Sequence, residues 1–147
     1  MMARELLATD IPCSFLVIGD GPLIFHLKEL AQWMGIQSKV KFTGWLAPME
    51  LQECLSKVDI LVNPSLRAWS ETFCIMNIEA MGMGVPLVTF GVGGVGEYIL
   101  LYQEKQNDED TQLYTVTSNA VLVNEASPRA MAAAVAILCV IQKYESG

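Results

Sequence analysis

Short apolar runs alternate along the chain with amphipathic stretches, and this alternation predicts strands separated by helices. The predicted strands span residues 13–19, 40–42, 58–62, 86–90 and 121–123. The predicted helices span residues 1–9, 23–34, 48–56, 72–83 and 127 to about 143. Strands that alternate with helical patterns indicate βαβ units, so we predict an α/β domain with a mostly parallel sheet and flanking helices.

Glycine and proline mark several predicted boundaries. Gly35 directly follows the predicted helix 23–34, at the position that commonly closes a helix. Pro48 stands at the start of the next predicted helix, where its missing N–H carries no cost. Gly84 and Pro86 end the predicted helix 72–83 and separate it from the following strand.

Residues 101–119 interrupt this rhythm. The segment contains a polar and mostly acidic run from Glu104 to Asp110, with Lys105 as its only basic residue. Long loops without regular structure are uncommon in compact domains. We therefore predict an exposed, mobile acidic insertion with no function of its own in an otherwise single domain, residues 1–147.

Composition supports a globular domain and narrows the possible partners. The chain has 147 residues, of which 52% are hydrophobic and 17% charged, which is enough apolar material for a core. Its formal net charge of −7 disfavours binding to the phosphate backbone of nucleic acids. The longest apolar stretch, residues 130–141, is shorter than the roughly 20 residues that a membrane-spanning helix needs. Residues 1–9 do not resemble a signal peptide, so we expect a soluble, cytoplasmic protein.

The cysteines and the histidine give no pattern typical of a metal or redox site. The four cysteines at positions 13, 54, 74 and 139 are too far apart for a CxxC pair, and the single His26 has no cysteine near it in sequence. We predict reduced and mostly buried thiols, a surface histidine, and no bound metal.

Two glutamates, Glu71 and Glu79, give the most informative spacing in the chain, with seven residues between them. Between Thr72 and Met83, Glu79 is the only ionisable residue. A carboxylate buried on so apolar a helix would need a partner, because an unpaired buried charge costs several kcal/mol. The two hydroxyls of a ribose are one such partner. A structural salt bridge and an exposed glutamate remain alternatives.

The start of this helix suggests a place for phosphate. The turn from Trp69 to Phe73 follows a predicted strand and the sequence Asn63-Pro64-Ser65. Free N–H groups at a helix start attract anions, and ligands of open α/β sheets lie outside the carboxyl ends of the strands. Glu71, these amides and Glu79 are therefore expected to line one crevice.

Two glycine-rich turns allow other interpretations. The turn Gly19-Asp20-Gly21-Pro22 permits tight backbone geometry near a ligand, although an ordinary loop explains it equally well. Residues 91–96 formally match GxGxxG, which is typical of a nicotinamide-dependent dehydrogenase. That fingerprint normally lies in the first βα unit, and no strand ending in an acidic residue follows at the usual distance.

Taken in order, these segments resemble glycosyltransferase family four, a large family of retaining enzymes of the GT-B type. The matching stretches are residues 15–23 (FLVIGDGPL), 39–46 (KVKFTGWL), 58–88, 91–99 (GVGGVGEYI) and 121–135 (VLVNEASPRAMAAAV). The resemblance covers nearly all of the chain except the acidic insertion. It implies the Rossmann-like domain that binds the nucleotide-sugar donor.

The resemblance also implies roles for individual residues. Glu79 matches the glutamate that binds the donor ribose, and Glu71 matches the one near the transferred sugar, so Glu71 is the candidate catalytic residue. The other expected donor-binding positions are the amides of Thr72, Phe73 and Cys74 for the diphosphate or sugar, and Gly44, Trp45 and Leu46 for the nucleobase, with Gly19 and Gly21 nearby. The nucleoside-diphosphate sugar is the substrate, and neither a separate cofactor nor a metal is implied. The family commonly has Gly-Phe-Gly where this chain has Thr72-Phe73-Cys74.

The chain departs from the resemblance at its beginning. The family's donor-binding domain opens with a central strand and a loop that carries an Arg and a Lys for the diphosphate, whereas this sequence begins in the helix that follows. We expect a gap between the strands at 13–19 and 58–62. Either these two strands pair directly, or another chain supplies the missing strand, or the fragment is only marginally stable. The acceptor-binding domain is also expected elsewhere, so this chain alone should bind the donor weakly and transfer nothing.

Three other functions stay open at this point. A sugar-nucleotide epimerase or a starch-synthase-like enzyme of the GT-B type would share these motifs. A non-catalytic interaction module that retains the fold would also share them.

Overall fold

The computed structural model describes residues 1–66, 74–100, 114–117, 120–124 and 126–145. Its helices are α1 (Met2–Leu7), α2 (Ile24–Trp33), α3 (Pro48–Leu55), α4 (Ile75–Gly82), α5 (Val95–Leu100) and α6 (Pro128–Glu145), with a short 3-10 helix at Gln37–Lys39. Its strands are β1 (Phe15–Ile18), β2 (Val40–Gly44), β3 (Leu61–Asn63), β4 (Leu87–Phe90), β5 (Tyr114–Val116) and β6 (Ala120–Val123). Each predicted strand and helix is present, with its ends moved by a few residues.

The main difference from the sequence-based prediction lies in residues 101–119. Tyr114–Val116 forms β5, which pairs antiparallel with β6, so this part of the predicted insertion belongs to the sheet. Residues 101–113 and 118–119 lie outside the described part of the chain. The Tyr-Thr-Val run has good strand propensity, but it is too short to stand out beside the acidic run that precedes it.

Helix α2 ends as the glycine signal predicts. Gly35 has a φ of +69°, a left-handed conformation that favours glycine. Its N–H donates to the carbonyl of Gln32 at 2.9 Å, and the N–H of Ile36 donates to the carbonyl of Ala31 at 3.0 Å. This pair of bonds is a Schellman motif, which satisfies carbonyls that the helix end would otherwise leave unpaired. The chain can then turn directly into the 3-10 helix and β2.

The strands form two separate ladders. β1 and β2 pair in parallel, and the other four strands lie in the order β3-β4-β6-β5, with only the β5–β6 pair antiparallel. The predicted mostly parallel α/β architecture is therefore confirmed. Direct pairing of β1 with β3, one of the expected alternatives, is wrong. Each of these two strands has a single ladder partner, which agrees with the expected gap between them.

The register of the larger ladder sends alternate rows of side chains to opposite faces. Leu61, Leu87 and Ala120 are aligned across β3, β4 and β6 and pack with α5. The neighbouring row of Val62, Val88 and Val121 packs on the opposite face. Helices α1 and α6 cover that face, contributing Leu6 and six buried residues of α6 that include Met131, Val135 and Leu138. The strands are thus held between two helical layers, and their carboxyl ends remain at one edge.

Several smaller predictions can be compared with the structure. His26 is exposed, as predicted. The four cysteines, all of them among the described residues, form no disulfide, as predicted, but each is half-buried, so they are less buried than expected. Within the described residues, no helix combines the length and apolarity needed to cross a bilayer.

Candidate functional site

The carboxyl ends of the parallel strands lie at one edge of the fold, and this edge carries most of the residues singled out from the sequence. The two ladders divide it into two corners, one after β1 and β2 and the other after β3, β4 and β6. Ligands of open α/β sheets bind outside this edge.

In the first corner, the structure brings Gly19 and Gly44 into direct contact. The N–H of Gly19 donates to the carbonyl of Gly44 at 2.9 Å. Their φ angles are +116° and +72°, which side-chain-bearing residues rarely adopt. The hydroxyl of Thr43 donates to the same carbonyl at 2.8 Å. The predicted grouping of these two glycines is therefore present, and the turn after β1 is tied to the end of β2.

The other predicted residues of this corner are accessible. Trp45 is 74% exposed and Leu46 is half-buried. The N–H of Gly21 donates to the Asp20 carboxylate at 2.7 Å, which shapes the turn before α2. An exposed indole beside two backbone turns offers a flat apolar surface on which a nucleobase can stack.

In the second corner, α4 begins at Ile75, later than the predicted start at Thr72. Cys74 is the residue preceding the helix, and its carbonyl accepts the first hydrogen bond of the helix, from the N–H of Asn77 at 3.1 Å. The amides of Ile75 and Met76 therefore precede that bond, at the positive end of the helix dipole. Glu71, Thr72 and Phe73 lie outside the described residues.

Glu79 lies on the outward face of α4. Its side chain is exposed, which was one of the alternatives left open by the sequence, so burial does not require Glu79 to have a partner. The reason is the orientation of the helix, which turns Ile75 (65% exposed) and Ile78 (36% exposed) outward as well. Within the described part of the chain, the Glu79 carboxylate makes no hydrogen bond or ion pair. It is a carboxylate on a partly apolar surface, available to a ligand.

Three residues for which the sequence predicted no role, Asn63, Asn77 and Tyr98, connect β3, α4 and α5 beneath this corner. The side-chain amide of Asn63 donates to Oδ1 of Asn77 at 3.1 Å, and the side-chain amide of Asn77 donates to the hydroxyl of Tyr98 at 2.9 Å. Asn77 is fully buried. An asparagine within the apolar run Ile-Met-Asn-Ile was the available signal, because a buried amide requires hydrogen-bond partners.

A cavity of about 270 Å³ opens beside this corner, at the carboxyl ends of β4 and β6. Its lining consists of Leu66, Phe90, Gly91, Val92, Leu122, Val123, Asn124 and Ala126. A Cβ atom at Gly91 would lie 3.4 Å from the side chain of Leu122, so any side chain there would narrow the cavity. None of the predicted donor-binding residues that the structure describes lines this cavity.

The glycine-rich segment at 91–96 connects β4 to α5, as a dinucleotide fingerprint would require. Gly93 has a φ of +60° and turns the chain into the helix. However, β4 lies inside the ladder and late in the chain, and it is not the strand of a first βα unit. The glycines instead allow a tight connection between β4 and α5, next to the cavity.

The chain matches the family model described as "Glycosyl transferases group 1" over residues 2–140. It is 34% identical over 83 residues to an uncharacterized glycosyltransferase of Methanocaldococcus jannaschii, an alignment covering 56% of this chain and 20% of that protein. It is 30% identical over 99 residues to the N-acetyl-alpha-D-glucosaminyl L-malate synthase of Bacillus anthracis, covering 67% of this chain and 25% of that protein. The matches therefore span about a fifth to a quarter of the length of these relatives.

Solved structures show the same fold. A sucrose-phosphate synthase from Thermosynechococcus elongatus superposes with a TM-score of 0.71 at 20% identity, over 95% of this chain and 32% of that one. The glycosyltransferase WaaG, which is involved in lipopolysaccharide biosynthesis, superposes with a TM-score of 0.69 at 20% identity, over 95% of this chain and 34% of that one.

Proposed function

The chain belongs to the group 1 glycosyl transferases, and on this premise we propose that it binds the nucleoside-diphosphate-sugar donor of a retaining glycosyl transfer. The binding site proposed for the donor is the edge formed by the carboxyl ends of the parallel strands. The nucleobase lies at the corner of Gly19, Gly21, Gly44, Trp45 and Leu46, and the ribose, diphosphate and sugar lie at the amino end of α4.

The observation that best supports this proposal is the match to the glycosyl transferase family over residues 2–140. Within the site, the exposed Glu79 carboxylate makes no hydrogen bond or ion pair with another described residue, so it is open to a ribose. A ribose can donate from both vicinal hydroxyls to the two carboxylate oxygens, and charge-assisted bonds of this kind contribute roughly 1.5–3 kcal/mol each. The exposed faces of Ile75 and Ile78 beside it provide apolar contact for the ligand. Because Glu79 is solvated before binding, the donor must also compensate for the loss of that water.

The amino end of α4 supports the placement of the diphosphate. A net charge of −7 gives this chain no general attraction for an anion, so a diphosphate needs a local source of positive potential. The helix dipole and the amides that precede the first helical hydrogen bond supply one. In the proposed mechanism these amides, with those of Thr72, Phe73 and Cys74, stabilise the departing diphosphate, while Glu71 lies near the transferred sugar.

Further parts of the proposed enzyme lie outside these 147 residues. The matched segments span only about a fifth to a quarter of the curated relatives, so we assign acceptor binding to another domain. We also assign the position between β1 and β3 to a strand from outside the 147 residues, since each of these strands has one ladder partner. The chain alone is then expected to bind the donor weakly and to transfer no sugar.

Isothermal titration calorimetry with UDP and GDP tests the proposal. Wild-type protein should bind one of them weakly, and both Glu79→Ala and Glu79→Gln should weaken binding at least about tenfold, the loss expected from one charge-assisted bond. Glu29→Ala is the matched control, because Glu29 is likewise an exposed helical glutamate but lies in α2. Equal affinity of wild type and Glu79→Ala would refute the ribose role.

The same titration separates the alternative functions. A folded wild-type chain that binds neither nucleotide would favour a non-catalytic interaction module. If a nucleotide binds, incubation of the full-length protein with a panel of nucleotide sugars and product analysis would distinguish sugar transfer from epimerisation or glucan synthesis.

A further inference from the structure

A chain of three polar side chains crosses the interior beneath the second corner. The side-chain amide of Asn63 donates to Asn77 at 3.1 Å, and that of Asn77 donates to the Tyr98 hydroxyl at 2.9 Å. Asn77 is 0% exposed and Asn63 is 8% exposed. Among the described residues, only Thr89 is another buried polar side chain.

These three residues belong to three different elements. Asn63 ends β3, Asn77 lies in the first turn of α4, and Tyr98 lies in α5. The Asn63 side chain also accepts a hydrogen bond from the N–H of Ser65 at 3.1 Å. Asn63 therefore contacts two segments. Its side-chain oxygen accepts from the backbone that follows β3, and its side-chain nitrogen donates to α4.

The position of Asn77 determines how α4 presents Glu79. Residues two apart on a helix are separated by about 200°, so a side chain at 77 directed into the core turns that at 79 away from it. The structure shows this arrangement, with Asn77 fully buried and Glu79 exposed. A fixed contact at Asn77 consequently fixes both the rotation of α4 about its axis and its distance from β3.

Stability alone does not explain why amides occupy these positions. Two facing apolar side chains of similar shape would fill the same space without the cost of burying polar groups, and such exchanges are often neutral or stabilising. Hydrogen bonds add direction, and in a low-dielectric interior they specify one arrangement of the elements that they join. Neither asparagine titrates, so this arrangement does not depend on charge.

We propose that Asn77, held by Asn63 and Tyr98, is a positioning residue that sets the orientation of α4 and thereby of Glu79 and the amino-terminal amides of the helix at the donor site. Asn77 acts through α4 and does not touch the ligand. This inference rests on the proposed function for its effect on nucleotide binding, but the fixed orientation of α4 can be measured without any nucleotide.

Three variants test the proposal. Asn77→Leu removes both bonds of the asparagine while keeping the same branching and number of side-chain heavy atoms. Tyr98→Phe removes the hydroxyl that accepts from Asn77 but keeps the bond between Asn63 and Asn77, so it is the milder change for Asn77. The triple variant Asn63→Leu, Asn77→Leu and Tyr98→Phe removes all three polar side chains, so that no buried side-chain amide is left without its partner. The backbone N–H of half-buried Ser65 does lose the Asn63 oxygen as its acceptor in this variant. Each variant is examined by thermal melting, by calorimetric titration with UDP and GDP, and by hydrogen exchange at the amides of Ser65 and Asn77.

We expect Asn77→Leu to weaken nucleotide binding at least about tenfold and to accelerate exchange at both amides. Tyr98→Phe should weaken binding less. The decisive result is the triple variant, which should recover most of the melting temperature lost in Asn77→Leu but not the affinity. A stabilising contact without a positioning role would recover both.

Two results separate failure of this inference from failure of the proposed function. If wild type binds a nucleotide and the triple variant binds it equally well, the positioning role is overturned. If wild type binds no nucleotide but Asn77→Leu still accelerates exchange at Ser65 and in the first turn of α4, the donor-binding function fails while the positioning of α4 stands. Unchanged exchange in Asn77→Leu and Tyr98→Phe would overturn the positioning role whether or not a nucleotide binds.

Discussion

Strand β1 of the smaller ladder and strands β4 and β6 of the larger one are mainly apolar in sequence but differ in burial. All four residues of β4 and all four of β6 are buried, whereas all four residues of β1, Phe-Leu-Val-Ile, are half-buried. β4 has strands on both sides, and β6 lies between β4 and β5, but β1 has only β2. The difference shows that an apolar strand becomes a core strand only when its neighbours cover it.

The two corners of the candidate site differ in the same way as the ladders beneath them. The second corner rests on the buried ladder and is braced from below by Asn63, Asn77 and Tyr98. The first corner rests on the half-buried ladder and is held by the bond between Gly19 and Gly44. We therefore expect the ribose and diphosphate end of the site to be better ordered in the isolated chain than the nucleobase end.

Truncation of one leucine in each ladder gives the largest expected difference. Leu87→Ala removes a fully buried side chain of β4 and should lower the free energy of unfolding by about 2–5 kcal/mol. Leu16→Ala removes the same atoms from half-buried β1 and should cost less than about 2 kcal/mol. Urea denaturation of both variants measures the difference. Equal losses in the free energy of unfolding would mean that the difference in burial between β4 and β1 does not affect stability.

Substitution of Gly44 tests how much of the stability of the β1–β2 ladder depends on the glycine at the end of β2. Gly44 has a φ of +72°, so Gly44→Ala should destabilise the protein by about 1–2 kcal/mol even though open space surrounds the site. Gly21→Ala is the control, since Gly21 has equally open surroundings but no positive φ. The two melting temperatures provide the measurement, and identical shifts would contradict the strain argument.

Hydrogen exchange can compare the two ladders one strand at a time. Alternate amides of β1 have no ladder partner, because β2 pairs with only one of its edges. These amides should exchange at least about tenfold faster than those of β4, which is paired on both sides. A designed apolar strand fused before Met1 should slow their exchange, and the same fusion with a central proline should not. Slow exchange of every β1 amide in the unfused chain would show that the edge is already covered.

The smallest effect is expected on α3, at the ion pair of Glu53 and Lys57. Their side chains lie 2.6 Å apart on the surface, and the hydrogen bond from Lys57 lowers the pKa of Glu53 below its ordinary value of 4.5. A lowered carboxyl pKa gives stability that is present above that ordinary value and lost as the pH falls through the folded-state pKa. Both side chains are exposed, so Lys57→Met should leave the melting temperature at pH 7 nearly unchanged. A large loss at pH 7 would contradict the assignment of this pair to the solvated surface.

Much of the fold could be predicted from local patterns. The capping signal at Gly35, the proline at the start of α3 and the apolar runs of β1, β4 and β6 identify their elements because each reflects short-range chemistry. The three-residue strand β5 escaped prediction because its pairing with β6 depends on contacts between segments and not on a local pattern. The predicted Gly19–Gly44 grouping came from the family resemblance, and the structure bears out that contact.

The site was harder to predict at residues whose role depends on whether the side chain is buried or exposed. The apolar sequence around Glu79 left open whether its carboxylate is buried with a partner or exposed, and the direction in which α4 packs leaves Glu79 exposed and buries Asn77. Sequence specifies which residues lie on one helix face, but the choice of the face that meets the core depends on the neighbouring elements.

The sequence by itself determined the order of the strands and helices other than β5 and α5, the family and the positions of the two glutamates, because these depend on residue type and spacing along the chain. Only the tertiary structure decided that β1 and β3 do not pair, that Glu79 is available to a ligand, and that Asn63, Asn77 and Tyr98 are bonded to one another. These outcomes depend on which distant segments pack together, and the burial and hydrogen bonding of each residue follow from that packing.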